Sequence, residues 1–331
     1  MNIEKLYKTL ADKPKFRLKQ AKEAIFKDLI DDWAKATVLP LDLRQELNKE
    51  CPLKINSEFF VSKAKDSTKA LIRLEDGLKI ESVLLRHSDN RNTVCVSSQV
   101  GCPLNCSFCA TGKMGFKRNL EYFEIVEQVI FFARLLKKEN KRVSNIVFMG
   151  MGEPFLNYDN VLRAIKIINA EDGLNIGARH ISISTVGIIE GIKKLAKENL
   201  QINLAISLHS PNDKLRERIM PINKKYPIER VLQAVDDYMA KTKRKVMFEY
   251  LLINNVNDTK ECAIELAKLM KRPLYFLNLI SYNPTGVFES SPFKKIKEFK
   301  NILEKSGVNV AQRYRFGQDI NAACGQLAGK N

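Results

Sequence analysis

From about residue 92 onward the sequence switches repeatedly between two hydrophobic periods, and this switching limits the fold more than any other feature. Short apolar runs at 94–99, 145–150, 180–185, 202–208, 245–253 and 274–281 read as strands. Between and after them, 121–138, 158–169, 188–198, 228–240, 258–270 and 293–304 carry apolar residues at helical spacing. A seventh run, 308–315, reads as an edge strand. Strands alternating with helices of this length imply βαβ units and a parallel α/β sheet. Six units are too few for a closed eight-fold barrel, which leaves a partial, open barrel or a doubly wound sheet.

The region before residue 92 is organised differently. Leu6, Leu10, Phe16, Ala21, Ile25, Phe26 and Ile30 recur at helical spacing, and Pro14, Pro40 and Pro52 punctuate the run. Apolar runs at 70–74 and 78–83 flank Asp76-Gly77, a pairing that predicts a hairpin. The predicted organisation is a helical N-terminal domain over 1–60, a linking hairpin over 61–90, and the βα region over 91–331.

Lys and Arg number 55 against 38 Asp and Glu, a formal net charge of +17. Such a surplus calls for a polyanionic partner, either nucleic acid or an anionic membrane surface. No stretch approaches the ~18–20 apolar residues of a spanning helix, so no membrane partner is expected. Basic runs at 113–118, 137–142, 241–245, 294–300 and 313–315 favour phosphate contacts and a salt-sensitive affinity. The first sixteen residues lack the apolar run of a secretory signal, and seven cysteines are too few for a disulfide scaffold. A cytoplasmic location is therefore expected, where clustered cysteines mean metal or catalysis.

The cysteines are clustered. GCPLNCSFCATG, residues 101–112, spaces Cys102, Cys106 and Cys109 as CxxxCxxC directly after the first strand of the βα region. Three thiolates on one short loop can converge on a soft metal centre, either zinc or an iron–sulfur cluster. A structural zinc site needs a fourth ligand, and His87, His180 and His209 all lie far off in the sequence. Three ligands without a fourth suggest a four-iron cluster with one iron open to another molecule. A zinc-containing RNA-binding protein is the competing reading.

Barrel enzymes keep their chemistry at the C-terminal ends of strands. There the sequence places Gly152 and Glu153, Ser184, Ser207, Leu208 and His209, and Asn283. Small and hydrogen-bonding residues on one rim with the cysteine loop suit a polar nucleoside.

The CxxxCxxC spacing resembles the signature of the radical S-adenosylmethionine (SAM) superfamily. The longer runs VCVSSQVGCPLNCSFCATG, MGMGEP, HISISTVG, AISLHSPND, MPINKKYPI and DINAACGQLAG resemble the RlmN/Cfr adenosine methyltransferases, in the same order and from about residue 3 to 329. This resemblance implies a partial (βα)6 radical-SAM barrel. It also implies a 4Fe–4S cluster on Cys102, Cys106 and Cys109, and SAM contacts at Gly152, Glu153, Ser184, Ser207, Leu208, His209 and Asn283. Cys324 matches the cysteine that carries the methyl group, Cys95 the cysteine that resolves the protein–RNA adduct by forming a disulfide, and Glu81 the general base. Cys51 and Cys262 match nothing and read as buried structural thiols.

The implied reaction methylates carbon 2 of an adenosine in 23S rRNA, and of one 3′ to the anticodon in tRNA. It consumes two SAM per turnover and draws electrons from a reductase or flavodoxin-type donor. The helical domain is expected to touch RNA. Methylation at carbon 8 is the alternative: Pro154 and Phe248-Glu249-Tyr250 look like the carbon-2 branch, Phe316-Gly317 and the CATG run like the other.

Overall fold

A computed structural model describes residues 1–329; Lys330 and Asn331, the end of the predicted βα region, lie outside the described residues. Three helices open the chain: α1 (Ile3–Thr9), α2 (Lys15–Phe26) and α3 (Leu41–Glu50). Each has a short start signal. The Asn2 side chain caps α1 by accepting the Glu4 and Lys5 amides, while Pro14 and Pro40 stand just before α2 and α3.

Ten strands then form one sheet, ordered β1 (Ser57–Val61), β2 (Ser67–Arg73), β3 (Lys79–Arg86), β4 (Asn92–Cys95), β7 (Asn145–Phe148), β8 (Ile181–Thr185), β9 (Asn203–Ser207), β10 (Val246–Leu252), β11 (Tyr275–Ser281) and β12 (Val310–Gln312). The missing pair, β5 (Gln99–Gly101) and β6 (Phe116–Asn119), makes a separate two-stranded ribbon. Pairing is antiparallel from β1 to β4 and parallel from β4 to β12. Sequential parallel strands joined by helices on one side curl into a partial barrel, here of six βα units.

The hairpin forms where Asp76-Gly77 predicts it, with Ile72 opposite Ile80. Two boundaries differ from the sequence reading. Residues 57–61, at the end of the predicted helical domain, form strand β1 and extend the hairpin, because pairing with β2 overrides a weak local signal. The predicted strand 94–99 divides, since the chain turns at 96–98 to leave the large sheet and start the ribbon.

The helices of the βα region are α5 (Tyr122–Lys137), α6 (Tyr158–Asn169), α7 (Ile189–Leu195), α9 (Ile228–Thr242), α10 (Lys260–Met270) and α11 (Phe293–Lys305). Two short helices, α4 (Ala110–Lys113) and α8 (Asp213–Ile219), went unpredicted because each spans only one or two turns. Strand periodicity sorts the side chains. On β8, Ile181 and Ile183 are buried, while Ser182 and Ser184 line the barrel's internal cavities.

The N-terminal helices share one continuous hydrophobic core with the barrel. At the seam, the Arg134 guanidinium on α5 donates to the Leu29 and Leu53 carbonyls at 3.2 and 2.9 Å. Among the described residues no helix is long and apolar enough to cross a membrane.

Candidate active site

The β5–β6 ribbon clasps the base of the cysteine loop. The Cys102 amide donates to the Gly115 carbonyl at 3.0 Å, and Gly101 crosses it so closely that a Cβ would lie 1.8 Å from that oxygen. Gly101 also has φ +76°, so the clasp needs glycine on two counts. The far side of the loop is tied to α8 and to the C-terminal segment: the Ser107 amide donates to the Ile219 carbonyl and the Ala110 amide to the Gly325 carbonyl. Cys102, Cys106 and Cys109 thereby line one wall of a cavity inside the barrel. All three are free thiols. Burial pushes the Cys102 thiol up to about 12 and Cys106 also well up, each reinforced by neighbouring thiols. A thiolate set in this low-dielectric wall needs positive charge beside it.

Opposite the thiols are the strand ends. The Glu153 carboxylate is buried and accepts the Phe155 amide at 3.0 Å and the Val186 amide at 2.9 Å. Its pKa is raised to about 7 by desolvation, which outweighs those two amides. No ion pair within 4 Å satisfies it among the described residues, so a bound ammonium would hold it charged. Gly152 beside it has φ +96°, and a Cβ there would sit 2.5 Å from the Gln99 side chain. Ser184 and Ser207 follow on adjacent strands, hydroxyls 3.3 Å apart. His209 is buried and accepts the Leu251 amide at Nδ1, 3.1 Å, which leaves Nε2 as the donor. Burial and then the nearby Arg216 charge lower its pKa to about 3, so the ring is neutral.

All seven SAM contacts implied by resemblance lie at strand ends, and five line the thiol-walled cavity itself: Gly152, Glu153, Ser184, Ser207 and His209. Leu208 does not line it. The Leu208 amide donates to Glu249 and its carbonyl accepts from Arg216, so its backbone is spent within the fold. Asn283 lines a second, adjoining cavity and holds the C-terminal segment, donating to the Cys324 carbonyl at 3.3 Å and accepting from Gln318 at 3.0 Å.

The C-terminal segment crosses the barrel mouth as a strap. It is stapled on both sides of Cys324: by Asn283, by the Ala110 amide on Gly325, and by the Thr111 hydroxyl on the Leu327 carbonyl at 2.6 Å. Cys324 lines both cavities, and Cys95 lines the second. The Cys324 side chain is exposed, and both cavities reach it. Burial raises both thiols, Cys95 to about 12 with a further push from Cys324 itself.

Glu81 is placed differently from an exposed strand carboxylate and lines neither cavity. It is buried, pairs with buried Lys69 at 2.8 Å, and accepts the Ala328 and Gly329 amides at 2.7 and 3.2 Å. Its contacts anchor the end of the strap. Cys51, as expected, is buried in the N-terminal unit, its thiol donating to the Asn2 carbonyl at 3.2 Å.

A family model for the Radical SAM superfamily matches residues 96–269. A probable dual-specificity RNA methyltransferase RlmN from Dictyoglomus thermophilum is 48% identical, over 95% of this chain and 90% of its own. The chain belongs to the RlmN/Cfr family of radical SAM RNA methyltransferases. The ribosomal RNA large subunit methyltransferase N of Nitrosopumilus maritimus is 47% identical, over 87% of this chain and 85% of its own. The fold agrees as well: a radical SAM methyltransferase from Sphaerobacter thermophilus superposes with a TM-score of 0.95 at 42% identity, covering 100% of this chain and 98% of that one.

Membership implies SAM and a 4Fe–4S cluster, and the donor set fits. Zinc draws its ligands onto a single atom, whereas a cluster spreads thiolates over separate irons. Three thiols spaced along one cavity wall suit the cluster.

Sequence reasoning missed Arg216, the largest buried ionisable side chain at the site. From α8 it donates to the carbonyls of Val186, Ser207, Leu208 and Tyr226 and to the Asn223 side chain. It ties the ends of β8 and β9 together behind Ser184, Ser207 and His209. Burial lowers its pKa to about 10, so it remains charged. On a seven-residue helix it looks like one more surface arginine; only the run AISLHSPND just before it hints otherwise.

Proposed function

We propose that this enzyme methylates carbon 2 of an adenosine in 23S rRNA and of an adenosine in tRNA, using Cys324 as the methyl carrier. One observation carries this reading: Cys324 lies on the boundary between a cavity walled by three cluster-type thiols and a second cavity holding Cys95. When bound, the cluster and SAM supply one-electron cleavage to a carbon radical able to take hydrogen from a methyl group.

Every other role falls to the chain. Glu153 holds the ammonium of SAM, and neutral His209 offers an Nε2–H without adding charge. Cys324 as thiolate takes a methyl cation from one SAM; a second SAM is consumed to activate that methyl group. The activated carbon bonds to the adenine ring, linking RNA to the Cys324 sulfur. Cys95 then attacks that sulfur, the carbon–sulfur bond breaks, the released carbon takes a proton to become methyl, and a Cys95–Cys324 disulfide is left for an external thiol to reduce, while the flavodoxin-type donor supplies the single electron for SAM cleavage. Glu81 takes the ring proton, for which its carboxylate must first part from Lys69 and release the Ala328 and Gly329 amides. The names of the relatives, the +17 charge and the strap geometry support this sequence of roles.

The decisive experiment digests 23S rRNA and tRNA treated with the reconstituted enzyme and analyses the nucleosides by mass spectrometry. 2-Methyladenosine from both RNAs is expected. 8-Methyladenosine would shift the assignment to the other branch, and unmodified RNA would refute it.

Cys95→Ala is expected to stall after the carbon–carbon bond has formed. A covalent protein–RNA species should accumulate and resist denaturing electrophoresis until the RNA is digested. Its absence, with product still released, removes the resolving role.

A further inference from the structure

The second cavity has a wall that the roles above do not use. Its floor holds Cys95 and Cys324, and its mouth is built from two chain segments that meet across it: His87 and Arg91 after β3, and 313–316 of the strap, which read Arg-Tyr-Arg-Phe. The aromatic rings are arranged as a series. His87 meets Phe316 edge to face with centroids 5.1 Å apart, and Phe316 meets Tyr314 likewise at 5.0 Å. Tyr314 at the outer end is 77% exposed, a larger exposure than any other large hydrophobic side chain shows among the described residues.

The charges divide unevenly. Arg91 pairs with Asp89 at 2.7 Å, and Arg313 pairs with the buried Glu249 at 2.7 Å. Arg315 makes no ion pair with an acidic side chain among the described residues, although it is only partly exposed. Burial and then the Arg91 charge lower the His87 pKa, and its Nε2 and the Thr93 hydroxyl are 3.0 Å apart. The mouth therefore offers flat apolar faces beside one uncompensated guanidinium, and it opens onto the two thiols.

We propose that Tyr314 and Phe316 form the stacking platform for the target nucleotide, and that Arg315 binds an RNA phosphate next to it. The inference rests on the RNA reading above and deepens it. An adenine that must reach Cys324 has to leave its own stack, at a cost of a few kcal/mol. Aromatic faces at the mouth replace the lost stacking, and a guanidinium without a carboxylate partner is free for a phosphate oxygen. A partner with planar rings and regularly spaced anions satisfies both features at once. Placed on the strap, the platform lies within a few residues of the thiol it serves, so the strap both carries the sulfur and presents the base.

The test uses the reconstituted holoenzyme and a 23S rRNA fragment containing the methylated adenosine. Tyr314→Ala with Phe316→Ala should weaken RNA binding about tenfold or more. S-methylation of Cys324, read by protein mass in the presence of SAM, should remain at the wild-type level. Aromatic exchange, Tyr314→Phe with Phe316→Tyr, should restore affinity. Arg315→Gln should flatten the dependence of log affinity on log salt by about one contact.

Wild-type affinity in the alanine variant overturns the proposal. So does failure of the aromatic exchange to restore binding, or loss of Cys324 methylation, since either makes these residues supports for the strap. An unchanged salt slope removes Arg315. Should the wild-type enzyme itself methylate no RNA, the RNA reading fails instead, which separates the two.

Discussion

Cys324→Ala is expected to yield no methylated RNA, a loss of at least about 10³-fold, while the iron content and the reductive cleavage of SAM persist. The structure separates these outcomes. The thiol reaches the boundary of the two cavities but makes no hydrogen bond through its sulfur among the described residues, while the strap is held by its backbone at 324, 325, 327, 328 and 329. Alanine keeps those bonds and removes only the atom that would carry the methyl group. The cluster thiols and the Glu153 cradle stand on other segments and are untouched. Production of 5′-deoxyadenosine, iron analysis and nucleoside mass spectrometry on one preparation check this together. Normal RNA methylation by the variant would end the methyl-carrier assignment. Loss of iron along with activity would mean that the strap supports the cluster loop.

The second large effect is on stability. Arg216→Leu is expected to destabilise the protein by about 4 kcal/mol, seen as a fall in Tm of roughly 8 °C or more. The leucine keeps much of the volume but leaves the carbonyls of Val186, Ser207, Leu208 and Tyr226, and the Asn223 oxygen, without their donor. An orphaned buried acceptor costs about 1–3 kcal/mol each, and partial relaxation recovers some of the total. Because the network sits directly behind Ser184, Ser207 and His209, SAM affinity should fall in whatever folded fraction remains. Thermal unfolding and SAM titration under anaerobic conditions measure both. A variant within about 1 kcal/mol of wild type would show that water or neighbouring amides satisfy those acceptors.

How far the site was legible follows from the distances its parts span along the chain. Cys102, Cys106 and Cys109 lie within eight residues, so the chemistry they imply was readable before any fold was known. The strand ends were readable once the alternation of periods had located the strands. Leu208 shows the limit of that logic: a residue at the right strand end turns away and spends its backbone on Glu249 and Arg216. Glu81 shows it again. Strand alternation could say which face it shares, but not that Lys69 and the tail amides would occupy its carboxylate.

The amino-acid order alone determined the βα architecture, the hairpin at Asp76-Gly77, a thiol triad spaced for a soft metal centre and a strongly basic charge balance. Each of these is written in local spacing or in a sum over the chain. Tertiary structure decided that Cys95 and Cys324, 229 positions apart, open onto one cavity. It also decided that Arg216 is a buried clamp and that the strap's aromatic residues line the cavity that holds the two thiols. These depend on how sheet curvature and a returning C-terminal segment bring distant residues together, and no local period encodes such a meeting.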